Sequence, residues 1–333
     1  MTFHALLRDV RMRVDERLAE WLAPRVAAAA AISAEVGVAA EAARDLSLRG
    51  GKRMRAALVA TGFDAFGGEG DCLPAMLAIE LLQTYLLIHD DWMDDDDVRR
   101  GGPTVHVLLR ERLGEKSLGD SAAILAGDLA SGWAQEALLE SNVRPERLVR
   151  AMKAYAKINV DVVCGQLAEM TAEGSKARPS VETVHALKTA SYTVTGPLLV
   201  GAALAGAEDA AGLERFGRPL GIAFQLRDDL LGTFGDPSAT GKPIHNDIRQ
   251  GKRTALVAEL VRDGGGAKLW AARDVDAIVK AMETSGARSR VESRVRELLE
   301  EARQALAAIG PSLSENGRTL LEGAVSALGD RSS

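Results

Sequence analysis

Aromatic residues are scarce, at 4% of 333 positions. Strands draw heavily on aromatic and β-branched side chains, and nowhere does an apolar–polar alternation of period two run far enough to make one. Extended sheet is thereby excluded as the main scaffold. Cysteine is scarcer still. Cys72 and Cys164 stand far apart, which excludes a disulfide framework and paired-cysteine metal spacing and predicts a reducing compartment. The five histidines do not cluster, so a zinc constellation is not expected. No apolar run reaches the ~20 residues of a membrane-spanning helix. The opening residues, Met1 to Asp9, lack the basic start and long apolar centre of a signal peptide. The chain is expected to be soluble and cytoplasmic, with no transmembrane segment. Positive charge is in deficit, 41 Lys and Arg against 47 Asp and Glu. Nucleic-acid binders usually carry a basic face, so nucleic acid is not an expected partner.

What is abundant is alanine and leucine within a 47% hydrophobic composition, which favours helix. Helices are predicted over 1–46 with an interruption at Pro24, over Ala56–Phe63, and over roughly 73–97, 104–113, 120–140 and 145–171. Val181–Thr195 follows, kinked or broken by Gly196-Pro197, then Leu213–Leu231 and a helical tail from 254. Loops are expected at Gly67–Asp71, 101–103, Gly174–Pro179 and Gly232–Pro243. No linker and no repeat of 20–50 residues is evident, and Gly264-Gly265-Gly266 reads as a short surface break. The expectation is one all-α domain over residues 1–333, a helical bundle with its core at the centre.

One stretch organises the chain. From Asp90 to Asp97, six carboxylates fall within eight residues, and Val98-Arg99-Arg100-Gly101-Gly102-Pro103 follows. The preceding run, Ala75–Ile88, is nearly all apolar and free of Gly and Pro, so it reads as a buried helix. Asp90 and Asp94 then lie one turn apart on one face, where like charges repel. A solvated acidic helix end is the plain alternative. A buried helix that ends in stacked carboxylates needs a compensating cation. Mg²⁺ fits, since it prefers oxygen and usually binds one or two carboxylates plus substrate phosphates.

A second apolar helix ends the same way, in Phe224-Gln225-Leu226-Arg227-Asp228-Asp229. Two such ends facing one pocket repel each other unless divalent cations and a polyphosphate balance them. Lys52, Arg55, Arg99, Arg100, Lys188, Lys242 and Lys252 lie mostly beside glycines, in loops or at helix ends. Each alone is an ordinary solvated charge, yet arginine forks and lysine point charges are what diphosphates require. There are more of them than one diphosphate needs, which points to two anionic substrates. Below Asp90 lie Leu86, Leu82 and Tyr85, an apolar face that suits either core packing or a hydrocarbon tail.

Together these strings resemble the trans-isoprenyl diphosphate synthases, the farnesyl and geranylgeranyl diphosphate synthase family. The matching residues are Gly50-Gly51-Lys52-Arg53-Met54-Arg55, Asp90-Asp91-Trp92-Met93-Asp94 with Arg99-Arg100-Gly101, Gly165-Gln166, Lys188-Thr189, Phe224 to Asp229, Gly241-Lys242 and Gly251-Lys252. The resemblance implies an all-α bundle around a deep central cavity, as a homodimer. It implies a Mg²⁺-dependent prenyltransferase that joins isopentenyl diphosphate to an allylic diphosphate. Three Mg²⁺ ions would sit on Asp90, Asp94 and Asp228, with Asp91 and Asp229 in support. Arg99, Lys188 and Lys242 would bind the allylic diphosphate, with Gln166, Gln225 and Lys252 nearby. Lys52, Arg55 and Arg100 would bind isopentenyl diphosphate, with Gln83 beside it. Thr189, Gln225 and the Lys188 carbonyl would face the carbocation. The departing pyrophosphate would take the final proton.

The chain departs from the family pattern in places. Gly232 stands where many members carry a third Asp. Gln83 replaces a His found in some members, Ala56 a frequent Pro and Glu169 a frequent Asp. In the family, the two residues four and five before the first Asp form the pocket floor, here Leu86 and Tyr85. That pattern resembles C20 producers most and C15 producers next. Two other readings compete. A class I terpene synthase would not need Lys52, Arg55 and Arg100 and would carry a different second metal motif. A non-catalytic subunit would have lost carboxylates or cations that this chain retains.

Overall fold

The computed structural model describes residues 1–171, 179–235, 245–262, 264 and 266–329. Helix α1 (Phe3–Ala30) opens on Thr2, whose hydroxyl accepts the Ala5 N–H. It continues through Pro24, against the sequence expectation. Glu20 and Pro24 both lie on the exposed face, so the carbonyl deprived of its donor is open to water. The break falls at residues 31–33, where the Ser33 hydroxyl accepts the Val36 N–H and starts α2 (Ala34–Leu48).

Helices α3 (Met54–Ala65) and α4 (Leu73–Met93) are buried along most of their length. Between α2 and α3 the chain turns through Gly50, Gly51 and Arg53, all at positive φ. Arg53 is held there by a buried strut. Its guanidinium donates to Glu80 of α4 at 2.9 Å, to Asp15 of α1 at 2.7 Å and to the Ser47 carbonyl at 2.9 Å. Glu80 also accepts the Ala56 N–H. Removing one partner of a buried pair leaves the other charge uncompensated. Glu80→Ala should therefore lower unfolding free energy by about 3–5 kcal/mol. Arg53→Met combined with Glu80→Leu should recover most of it, as read by urea denaturation.

The helix α4 ends at Met93, short of the predicted 97. Residues Val98–Arg99 and Gly102–Pro103 then pair as a hairpin, the sole extended pairing among the described residues. Arg100 and Gly101 both take positive φ, 50° and 73°, as a tight two-residue hairpin turn demands. Helices α5 (Val105–Leu113), α6 (Lys116–Leu139) and α7 (Pro145–Met170) follow. A Cβ on Gly127 of α6 would come within 2.4 Å of the His89 ring, so that glycine sets how closely α6 approaches α4.

Helix α8 (Val181–His185) widens into π-helical turns over Ala186–Thr195 and narrows again into α9 (Gly196–Ala205). Pro197 has no N–H to return to the preceding turn. The wide turns absorb that deficit without a break, so Gly196-Pro197 changes the winding and does not end the helix. Helix α10 (Ala211–Phe234) carries the second acidic pair. The remaining helices are α11 (Asn246–Arg249), α12 (Ala255–Val261), α13 (Ala267–Ala272), α14 (Val275–Thr284), α15 (Ala287–Ile309) and α16 (Glu315–Gly329). The fold is all-α, as the composition predicts, and its core runs through Leu18, Leu58, Leu81, Leu82, Phe216 and Leu220. No helix among the described residues is long and apolar enough to cross a membrane. Most of the loop expected at 174–179 and most of that at 232–243 lie outside the described residues.

Candidate active site

The end of α4 splits its carboxylates between two directions. Asp94 closes the last turn, its N–H reaching the Asp90 carbonyl at 2.8 Å. Asp90 and Asp94 are half-buried, while Asp91, one position round the helix, is fully buried. Arg99 of the hairpin grips Asp91 through Nε at 2.7 Å and also through Nη2. The same guanidinium holds Asp96 at 3.2 Å. Burial pushes the Asp91 carboxyl up to about 6, although Arg99 pulls the other way.

Two lysines meet the outward pair. Lys188, on the π-helical turns, lies 3.5 Å from Asp90 and 2.5 Å from Glu169. Lys252, in the turn after α11, lies 2.5 Å from Asp94. Burial opposes the charge on both ammonium groups, but Asp90 and Glu169 outweigh it at Lys188 and Asp94 outweighs it at Lys252. Gly165 lets α7 approach the Lys188 backbone closely, since a Cβ there would stand 2.5 Å from the Lys188 backbone nitrogen. Gln166 follows it, half-buried, on α7. Gln250 reaches Asp96 at 3.2 Å and ties the two loops together.

The wall formed by α10 is a relay of hydrogen bonds. Thr189 Oγ1 donates to Gln225 Oε1 at 2.9 Å, and Gln225 Nε2 donates to Asp229 at 2.9 Å. Asp229 also accepts the Ala255 N–H and stands 3.7 Å from His185. It is buried, which raises its pKa against the pull of His185 and Gln225. Asp228 is half-buried beside it. Lys242 lies outside the described residues.

The hairpin turn separates the two arginines that follow the acidic stretch. Arg99 serves Asp91. Arg100 turns to the basic loop, where its guanidinium lies 3.5 Å from the place a Gly51 side chain would begin. Burial and the neighbouring Arg53 and Arg55 lower the Arg100 pKa, which marks a concentration of positive charge. Arg55 donates to Thr193 at 2.9 Å and stacks on the Tyr192 ring at 4.3 Å. Lys52 is exposed at the rim of this loop, and Gln83 is half-buried on α4. The basic residues therefore form two groups, one at the carboxylates and one across the hairpin.

Below Asp90, Leu86 follows one turn down and is half-buried, and Leu82 is fully buried. Tyr85 points elsewhere. Its ring stands edge-on to His89, with centroids 4.8 Å apart. Burial and Asp128 raise the Tyr85 pKa, and burial and Tyr85 together raise that of Tyr155 on α7. Tyr155 is buried and its hydroxyl has no hydrogen-bond partner among the described residues. No motif in the sequence singles it out.

Asp247 is a second residue that sequence reasoning passes over. A Cβ at Gly232 would lie 3.7 Å from its carboxylate oxygen. Two backbone bonds fix this return. His245 N–H reaches the Gly232 carbonyl at 2.8 Å, and Lys252 N–H reaches the Asp247 carbonyl at 2.8 Å. A carboxylate thus stands close to the position where the second acidic motif lacks one.

The donor set at this site is oxygen-rich, which suits a hard cation. Among the described residues no three Asp, Glu, His or Cys side chains converge as a self-sufficient metal cage.

An all-α fold with paired acidic helix ends, lysines between them and a separate arginine cluster defines a class of diphosphate-using enzymes. The sequence profile of the polyprenyl synthetase family matches residues 37–283. The chain is 34% identical over 292 residues to a geranylfarnesyl diphosphate synthase of Aeropyrum pernix, covering 82% of this chain and 87% of that one. It is 36% identical over 234 residues to a geranylgeranyl diphosphate synthase of Sulfolobus acidocaldarius, covering 68% of each. Among solved structures, a geranylgeranyl pyrophosphate synthase of Corynebacterium glutamicum, complexed with isoprenyl diphosphate and magnesium, superposes with a TM-score of 0.86. Identity is 34%, over 99% of this chain and 100% of that one. The chain belongs to the polyprenyl synthetase family. It is a short-chain prenyltransferase.

Proposed function

We propose that this enzyme extends an allylic diphosphate with isopentenyl diphosphate, using Mg²⁺, to a trans product of C20 or C15, geranylgeranyl or farnesyl diphosphate. The observation that carries this reading is the division of cations into two groups on either side of the hairpin. Lys188 and Lys252 meet Asp90 and Asp94, while Arg55 and Arg100 gather beside Gly51. One diphosphate, held through Mg²⁺ on Asp90, Asp94 and Asp228, suits the first group. Isopentenyl diphosphate suits the second, with Lys52 and Gln83 beside it. A terpene synthase uses one diphosphate and has no use for the second group.

Bound Mg²⁺ would supply positive charge to the leaving diphosphate. Lys188 and Lys252 lie where they add to that charge, and Gln166 and Lys242 belong to the same diphosphate site by family likeness. Arg99 holds Asp91 and Asp96 in place and presents its remaining edge to the diphosphate. Breaking the allylic C–O bond leaves a carbocation. Thr189, Gln225 and the Lys188 carbonyl offer it oxygen dipoles. Asp229 orients Gln225 from behind. The isopentenyl double bond attacks, a C–C bond forms and a new tertiary cation results; the departed pyrophosphate takes a proton from the carbon beside it, and the C–H electrons become the new trans double bond. Leu86, Leu82 and Tyr85 wall the growing tail and keep water from the cation.

In this reading Asp247 supplies charge that Gly232 cannot. Asp247→Asn should raise the half-saturating Mg²⁺ concentration about tenfold, a loss of ~1.4 kcal/mol, with a smaller change in kcat. Unchanged Mg²⁺ dependence would remove Asp247 from the site.

A homodimer is part of the same proposal. Leu118, Leu125 and Leu139 of α6 are exposed at spacings of seven and fourteen residues, and Val160, Val163 and Leu167 of α7 at spacings of three and four. Such stripes fit helix-on-helix burial. Light scattering should give twice 35.3 kDa, and Leu125→Glu with Leu167→Glu should give the monomer.

The defining experiment supplies purified protein with Mg²⁺, isopentenyl diphosphate and starters from C5 to C15. A longer prenyl diphosphate is expected, and no elongation from any starter would overturn the reading.

A further inference from the structure

Behind the second acidic helix lies a cavity of about 600 Å³, bounded by α8, α12, α15 and Leu226 of α10. Small-molecule sites commonly enclose about 300–1,000 Å³. Part of its wall is apolar, with Val184, Leu226, Ala258 and Val291 among the lining side chains. The wall also carries charges, and nearly all are matched. Arg294 holds Glu182 at 2.7 Å, Arg290 holds Glu259 at 2.5 Å, and Glu169 belongs to Lys188.

Two groups on this wall have polar atoms that no described residue meets. Arg253 is half-buried and has no hydrogen-bond or ion-pair partner among the described residues. His185 is 7% exposed; its Nε2 stands 3.7 Å from Asp229, and its Nδ1 has no partner among the described residues. A half-buried guanidinium on a partly apolar wall favours an anion. The catalytic reading gives neither Arg253 nor His185 a role, although His185 Nε2 stands 3.7 Å from Asp229.

We propose that this cavity binds a small organic anion that is apolar at one end. A phosphate or carboxylate head meets Arg253, with His185 Nδ1 as a further hydrogen-bonding atom. The apolar body lies against Val184, Leu226 and Val291. A bare inorganic ion leaves the apolar wall unused, and a neutral lipid leaves Arg253 unpaired.

Titration calorimetry with hexyl phosphate, in EDTA so that no Mg²⁺ is present, tests this directly. One saturable site per chain is expected. Inorganic phosphate and hexanol, each carrying half of the recognised chemistry, should bind at least tenfold more weakly. Hexanoate in a parallel arm distinguishes a carboxylate head from a phosphate head. Arg253→Gln should weaken binding at least tenfold with an unchanged thermal midpoint. Ala258→Leu, which fills the cavity without altering a charge, should do the same. Binding should persist when Mg²⁺ and inorganic diphosphate saturate the catalytic site. No saturable binding of either amphiphile, indifference to both substitutions, or displacement by Mg²⁺ and diphosphate would overturn the proposal. Calorimetry reads this site whether or not the chain elongates a prenyl substrate.

Discussion

Asp90→Asn should lower kcat/KM for the allylic diphosphate by at least about a thousandfold, roughly 4 kcal/mol of transition-state stabilisation. The leaving diphosphate develops charge as the C–O bond breaks, and the carboxylates at the end of α4 gather the cations that meet it. Asn keeps the shape of the side chain and one oxygen, but it loses the charge. Stability should move the other way or not at all. Asp90 lies within one turn of Asp91 and Asp94, and like charges at that spacing are unfavourable. Lys188 keeps Glu169 as its partner at 2.5 Å. The variant should therefore melt at or above the wild-type temperature while activity collapses. A comparable fall in both would mean that Asp90 is structural. Steady-state kinetics with saturating isopentenyl diphosphate and a thermal melt separate these outcomes.

Tyr85→Ala should lengthen the product by at least one five-carbon unit. The α4 helix is regular through this region, so Leu86 lies one turn below Asp90 and Tyr85 is turned toward His89, Asp128 and Tyr155. On the proposed reading the floor would be a lateral wall, with Tyr155 of α7 near Tyr85. Removing the Tyr85 ring opens space on that side. Tyr155 stands next in line, so Tyr85→Ala with Tyr155→Leu should lengthen the product further than Tyr85→Ala alone. Mass spectrometry of the products checks both variants. An unchanged product from Tyr85→Ala would assign the limit to Leu86 or to another wall.

Much of this was legible because the signals are strong and local. Long apolar runs without Gly or Pro define α4 and α10, and their acidic ends define the site. Less legible were features that depend on what a residue meets across the fold. Pro24 stays inside α1 because its ring faces water, which one sequence does not reveal. Lys52, Arg53 and Arg55 share one basic string, yet Arg53 is a buried strut to Glu80 while Arg55 stacks on Tyr192. The hairpin at 98–103 is too short for any periodicity to register. It is nevertheless what sends Arg99 and Arg100 to different partners. Asp247 and Tyr155 sit outside every acidic or aromatic pattern and gain their meaning from Gly232 and Tyr85, far away in sequence.

The most direct measurement is stoichiometry. With isotopically labelled isopentenyl diphosphate, a C5 starter and Mg²⁺, each added five-carbon unit should consume one isopentenyl diphosphate and release one inorganic diphosphate. The product should remain a linear diphosphate that carries the label. Diphosphate release without uptake of label, leaving a prenyl alcohol or a cyclised hydrocarbon, would contradict the account.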